Sequence, residues 1–104
     1  MILDHRTYTL HPGKIAEFLK LYGAEGYPVQ TEHLGKPYGW FSSMDIGELN
    51  QVVHIWQYTD LMDREQRRAK LAADPRWQAY LAKAAPFFQK MENKILRGTP
   101  FFPL

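Results

Sequence analysis

His54 is the residue of this chain best suited by type to move a proton or hold a metal-centred group. Trp56 and Tyr58 follow at offsets of two and four, which in a strand place all three side chains on one side. An imidazole there has a pKa near neutrality and suits a general base or a haem ligand. The alternative is a partly buried histidine satisfied by a neighbouring hydroxyl or carbonyl. Arg6 is the second candidate. In an aromatic-lined cavity its guanidinium would grip a carboxylate or phosphate through two parallel bonds and stack on Trp or Tyr; the alternative is an intersubunit ion pair. Asn50 precedes the strand that carries His54 and could hydrogen-bond a ligand, although turn stabilisation is the commoner use of Asn there. The four histidines, His5, His11, His33 and His54, show neither H-x-H nor H-x-x-x-H spacing and have no cysteine partner, so no metal site is expected. The chain has no G-x-G-x-x-G and no P-loop, and Gly39-Trp40-Phe41-Ser42 lacks the closing glycine of a nucleophile elbow.

Elements that can position these residues are legible in the pattern. Ile2 to Leu10 reads as a strand, with Ile2, Arg6, Tyr8 and Leu10 on one side and Leu3, His5, Thr7 and Thr9 on the other. After Pro12, the spacing of Ile15, Phe18, Leu19 and Tyr22 predicts an amphipathic helix that frays or kinks near Gly26, with a loop over His33 to Pro37. Tyr38 to Met44 and Gln51 to Thr59 read as strands joined by a short turn, hence an antiparallel hairpin. Asp60 reads as an N-cap for a helix to about Ala73, and Asp74-Pro75 restarts one on which Trp77, Tyr80, Leu81 and Ala84 form a stripe. Pro86 should end it, and Gln89 to Arg97 reads as the last strand.

The order β-α-β-β-α(α)-β is the ferredoxin-like split βαβ arrangement of the α+β class: a four-stranded antiparallel sheet with helices on one face. Leu3, Phe41, Val53 and Ile55 are expected to meet the helices. The other face, with Arg6, Tyr8, Trp40, Val52, His54, Trp56 and Tyr58, is then left bare for a partner, most simply a second copy packed sheet to sheet. The ligand-binding set expected on that face, near its turn, is Arg6, Tyr8, Trp40, Asn50, His54, Trp56 and Tyr58, around a small anionic or aromatic molecule. The apolar tail 98–104, with Phe101, Phe102 and Leu104, packs on its own chain or on that partner.

Composition bounds the rest. The chain has 104 residues, 45% of them hydrophobic and 23% charged, a net charge of +2 and no cysteine. That is the size of a single domain spanning 1–104, without a disulfide scaffold or a thiolate metal site. The only basic cluster, Arg64, Arg67, Arg68 and Lys70, is interleaved with acids and reads as a solvated helix face paired through Asp60–Arg64 and Asp63–Arg67, not a nucleic-acid surface. Protein interaction through that face or the tail is a further alternative. No apolar run approaches the ~20 residues of a membrane span, and the first residues are unlike a signal peptide, so a cytoplasmic protein without membrane insertion is expected.

Several stretches together resemble the NIPSNAP family. Arg6-Thr7-Tyr8-Thr9-Leu10 with Pro12-Gly13-Lys14 is similar to the family's opening, and Gly47 to Tyr58 (GELNQVVHIWQY) to its central motif. Asp63-Arg64, Arg67-Arg68, Asp74-Pro75-Arg76-Trp77 and the end from Ile95-Leu96-Arg97 through Pro100-Phe101 continue the likeness over nearly the whole chain. The resemblance implies a homodimer forming a dimeric α/β barrel. The architecture is shared by monooxygenases, haem-degrading proteins and isomerases, which often hold a ligand between sheet and helices or inside the barrel. It implies no agreed catalytic residues, no cofactor of the family's own, and haem only by analogy with the wider superfamily. A cofactor-poor monooxygenase or isomerase using His54 is the enzymatic alternative.

Overall fold

Alternation in two segments builds the centre of the fold. Ile2–Leu10 (β1) and Gln51–Tyr58 (β3) pair antiparallel, with Arg6 opposite His54 and Tyr8 opposite Val52. In the computed structural model, which describes residues 1–43 and 45–104, Gly39–Ser43 (β2) flanks β3 and Phe88–Arg97 (β4) flanks β1. The strand order is β2-β3-β1-β4, antiparallel throughout. Met44, expected to end the second strand, lies outside the described residues.

The helices are Ile15–Leu21 (α1), Tyr27–Leu34 (α2), Leu61–Ala73 (α3) and Pro75–Ala84 (α4). Asp60 caps α3 by accepting the Asp63 N–H at 2.8 Å, while Asp63 accepts the Thr59 N–H at 2.9 Å. The first bond meets an N–H that the helix itself leaves open, and the second ties down the residue just before the cap. Asp74 caps α4 through the Arg76 N–H, with Pro75 in the first turn. Pro86 closes α4 in a tight turn, Ala85–Phe87.

The helix after Pro12 does not fray at Gly26. It widens into a π-helical turn, Tyr22–Gly26, in which the Tyr27 N–H reaches back to the Tyr22 carbonyl, and then resumes as α2. The chain leaves helical geometry only at Gly35, whose φ of 81° favours glycine.

Two sequence expectations are corrected here. First, the sheet is open: β2 and β4 are its edges, and it does not close into a barrel. Four strands are too few to wrap around a filled interior, which takes about eight. Second, the faces are exchanged. The helices cover the aromatic side, where Val52, Trp56, Tyr58 and Leu10 are buried against Phe18, Tyr22, Val29, Leu71 and Tyr80. Leu3, Phe41, Val53 and Ile55 alternate onto the other side, with Val53 and Ile55 half-buried and Phe41 exposed. The larger aromatic rings remove more surface from water under the helices, and the charges among them find partners there. In the tail, Thr99 and Phe102 exchange backbone hydrogen bonds at 2.9 and 3.1 Å, folding the chain back over Gly98. Phe101 and Phe102 remain exposed.

Candidate functional site

Trp40, His54, Arg6 and Asn93 form one rung across the helix-covered face, each directly opposite the next on β2, β3, β1 and β4. Arg6, within the rung, stands between two polar groups of different character: Asp4, two residues along β1, and His54, opposite on β3.

On one side is Asp4, fully buried and absent from the expected site. Its Oδ2 accepts from Arg6 Nη1 at 3.0 Å and from Arg64 Nε at 2.9 Å, and its Oδ1 accepts from Asn93 Nδ2 at 3.3 Å. Burial alone would raise the Asp4 pKa; the Arg6 charge and the bonds from Arg64 and Asn93 outweigh it and hold the carboxyl below its ordinary value. Arg6 also donates through Nε to the Tyr8 hydroxyl at 2.8 Å. Arg64 therefore turns inward to Asp4 and does not form the expected surface pair with Asp60, because an uncompensated buried carboxylate is far costlier than a lost surface pair. The Asp63–Arg67 pair forms as expected, at 2.9 Å.

On the other side is His54, 2% exposed. Trp40 stacks on its ring with centroids 4.7 Å apart, and Tyr8 meets it edge-on at 4.8 Å. The Trp56 indole N–H donates to Nδ1 at 2.7 Å. Because Nδ1 must accept, the neutral ring carries its proton on Nε2, and Nε2 has no partner among the described residues. Burial, assisted by the Arg6 charge, pushes the His54 pKa down to about 3. The ring is neutral over the whole physiological range.

His54 lines a cavity of about 40 Å³ between sheet and helices. Tyr8, Trp40, Phe88 and Met91 form its sheet side; Phe18, Tyr22 and Gln30 come from the α1–α2 segment, and Trp77, Tyr80 and Leu81 from α4. The π turn sets the Tyr22 ring: its hydroxyl accepts from Trp40 Nε1 at 3.0 Å and donates to Gln30 Oε1. Gly26 makes room for that ring and the next, since a Cβ there would lie 2.6 Å from Tyr22 Cδ1 and 2.9 Å from Tyr80 Cε1. Burial raises the Tyr22 and Tyr80 pKa values, so both stay protonated. Leu81 and Met91, both exposed, mark the side where the cavity meets solvent.

Of the seven expected ligand residues, Tyr8, Trp40 and His54 line this cavity. Trp56 stands behind His54, and Arg6 is one bond removed, occupied by Asp4 and Tyr8. Tyr58 belongs to a second buried cluster with Ile2, Val29, Leu34 and Leu71. Asn50 lies apart, at a turn: its φ is 62°, its carbonyl accepts the Leu10 N–H at 2.8 Å, and its Oδ1 accepts the Gly13 N–H at 3.4 Å. The site does not fit haem: a volume of 40 Å³ is far below the ~300 Å³ or more of usual cofactor and drug-sized sites, and the unengaged nitrogen of His54, Nε2, carries the proton and so offers iron no lone pair.

Glu32, His33 and Asp74 bring one potential metal-binding atom each within 4.8 Å of one another, a grouping the spacing of the histidines concealed. Arg76 bonds both carboxylates, and His33 Nε2 lies 2.9 Å from Asp74 Oδ2. The cluster is thus a set of ion pairs that ties α2 to α4.

Residues 3–103 match the NIPSNAP family. The chain belongs to that family. It is 32% identical to the Drosophila melanogaster protein NipSnap and 31% identical to the human NipSnap homolog 3A, over 98% and 97% of this chain. It spans 36% and 40% of those two relatives, less than half of their length. Among solved structures, a protein from Agrobacterium tumefaciens is 44% identical with a TM-score of 0.94, over 100% of this chain and 99% of that one. A NIPSNAP domain protein from Burkholderia xenovorans is 38% identical with a TM-score of 0.92, each chain covered over 99%. A putative antibiotic biosynthesis monooxygenase from Nitrosomonas europaea, 11% identical with a TM-score of 0.67, shares the fold alone; the alignment covers 94% of this chain and 98% of that one. No helix among the described residues is long and apolar enough to cross a membrane.

Five of the eight remaining lining residues escaped the expected site for one reason. Phe18, Tyr22, Trp77, Tyr80 and Leu81 were visible as helix stripes, but a stripe shows only that a face is buried, not that it stops short of the sheet.

Proposed function

We propose that this NIPSNAP-family chain is a small-ligand-binding protein whose ligand enters the cavity between sheet and helices at Leu81 and Met91. One observation carries the reading: an aromatic cavity, walled by a π turn, that contains a buried polar nitrogen without a partner among the described residues. π turns are frequent at functional sites because they displace one wall of a helix without breaking it. Binding is favoured over proton transfer by His54. Its Nδ1 is engaged by Trp56 and its Nε2 already holds a proton, so neither nitrogen is a base near neutrality. Tryptophan emission, to which the lining Trp40 and Trp77 contribute, titrated with a panel of small neutral and anionic compounds tests the reading. A saturable change, lost when Leu81→Phe narrows the mouth, is expected; an unresponsive emission across the panel counts against it.

A homodimer through the opposite face of the sheet is supported by a separate observation. Phe41, Val53 and Ile55 lie on the side that no helix covers. A second copy placed sheet to sheet would bury this self-complementary patch by two-fold symmetry. Light scattering at micromolar concentration is expected to give twice the chain mass, reverting to one chain in Val53→Lys. A single-chain mass for the unmodified protein would remove this reading.

A further inference from the structure

The chemistry of the cavity limits what can enter it. The buried N–H of His54 has no acceptor among the described residues, and a buried donor left unmet is destabilising. Among the described residues no charged side chain lines the cavity. The nearest guanidinium, Arg6, is committed to Asp4 and Tyr8. Gln30 spends its Oε1 on the Tyr22 hydroxyl, so what it offers beyond that is N–H groups. A guest therefore meets the His54 and Gln30 N–H groups, tyrosine hydroxyls that can donate or accept, and aromatic walls. It must bring an acceptor oxygen, and it gains nothing from a negative charge, whose burial without a cation is strongly unfavourable. The volume of about 40 Å³ holds the equivalent of about three waters, hence a few heavy atoms, with any further chain leaving past Leu81 and Met91.

We infer that the cavity takes the uncharged carbonyl end of a small apolar molecule, with His54 Nε2–H as the donor that holds it, and rejects the matching carboxylate. This rests on the ligand-pocket reading above and sharpens it to a ligand class. A carbonyl supplies the acceptor that the His54 N–H lacks without bringing a charge. It is favoured over a hydrocarbon because only the carbonyl satisfies the histidine. Water competes for the same nitrogen, and a ketone that takes its place also buries its alkyl groups.

The test uses the full chain and three probes of similar size: methyl propyl ketone, pentane and butyrate. Binding is followed by tryptophan emission and by NMR of the His54 ring nitrogens. The expected result is a protonated Nε2 in the free protein, a saturable shift of that N–H with the ketone, and ketone affinity at least about tenfold above that of pentane and of butyrate, a difference of about 1.4 kcal/mol. His54→Phe is expected to erase the ketone's margin while pentane still binds. If that variant does not fold, the ranking of the three probes in the unmodified chain decides alone. Butyrate binding as well as the ketone, or pentane equalling the ketone with the His54 signals unmoved, overturns the inference and leaves the pocket reading intact. No response to any probe, with a water retained on Nε2, removes both.

Discussion

Asp4 and His54 are both polar, both buried, and sit on adjacent strands on either side of Arg6, yet the fold treats them differently. Asp4 receives bonds from three side chains, two of them cationic, and every one comes from this chain. His54 receives one and is left with an unused N–H. A charge placed under helices must be met internally or the chain does not fold, whereas a neutral imidazole can leave one bond open at a tolerable cost. The completed network is therefore the structural one, and the incomplete one is where a ligand has something to gain.

The largest expected effect tests the completed side. Asp4→Ala strands Arg6 and Arg64 without their shared carboxylate and should cost about 3–5 kcal/mol in urea unfolding. A loss under 1 kcal/mol would show that water reaches the network and that it is not the closed structural unit described. Acidification tests the other side. The His54 pKa is about 3 in the folded chain against about 6.5 unfolded, so between those values the unfolded chain binds a proton that the folded one refuses. The stabilising contribution is complete above about pH 6.5 and is lost as pH falls toward 3, amounting to several kcal/mol at about 1.4 kcal/mol per unit. His54→Phe should flatten that slope, while the Asp4 contribution is lost only lower, below its unfolded value near 3.8. Equal slopes in the two proteins would assign the acid sensitivity elsewhere.

Smaller effects probe the cavity wall and the second cluster. Gly26→Ala forces a methyl against Tyr22 and Tyr80 and should destabilise by about 1–3 kcal/mol, less the helical preference of Ala. It should also weaken any ligand seen by tryptophan emission, which a simple stability loss would not do. Tyr58→Phe removes a buried hydroxyl with no hydrogen-bond partner among the described residues and should change stability by less than about 1 kcal/mol, toward greater stability. A large loss there would mean that the Tyr58 hydroxyl is held after all, by the Arg68 guanidinium whose charge bears on it.

Much of this architecture is local information. The period of two in Val52 to Thr59, the caps at Asp60 and Asp74 and the stop at Pro86 act through nearest neighbours along the chain, so the elements and their order followed from the residues. The exchanged faces did not. Alternation says that Tyr8, Trp40, His54 and Trp56 share a side, but both sides of the central strands carry enough apolar surface to meet a helix. Asp4 lacked a signal for the same reason, since its partners Arg64 and Asn93 lie 60 and 89 residues away. The π turn was half visible, as trouble near Gly26, without any indication that the helix would widen and continue.

By itself the sequence determined the element order, the strand registers' alternating sets and the family, because each depends on patterns within a few residues or across the whole string. Only tertiary structure decided which face the helices cover, which of two buried polar groups is completed and which is left open. Those outcomes depend on side chains that meet from distant segments, and desolvation of a polar group is costly or harmless according to what arrives opposite it.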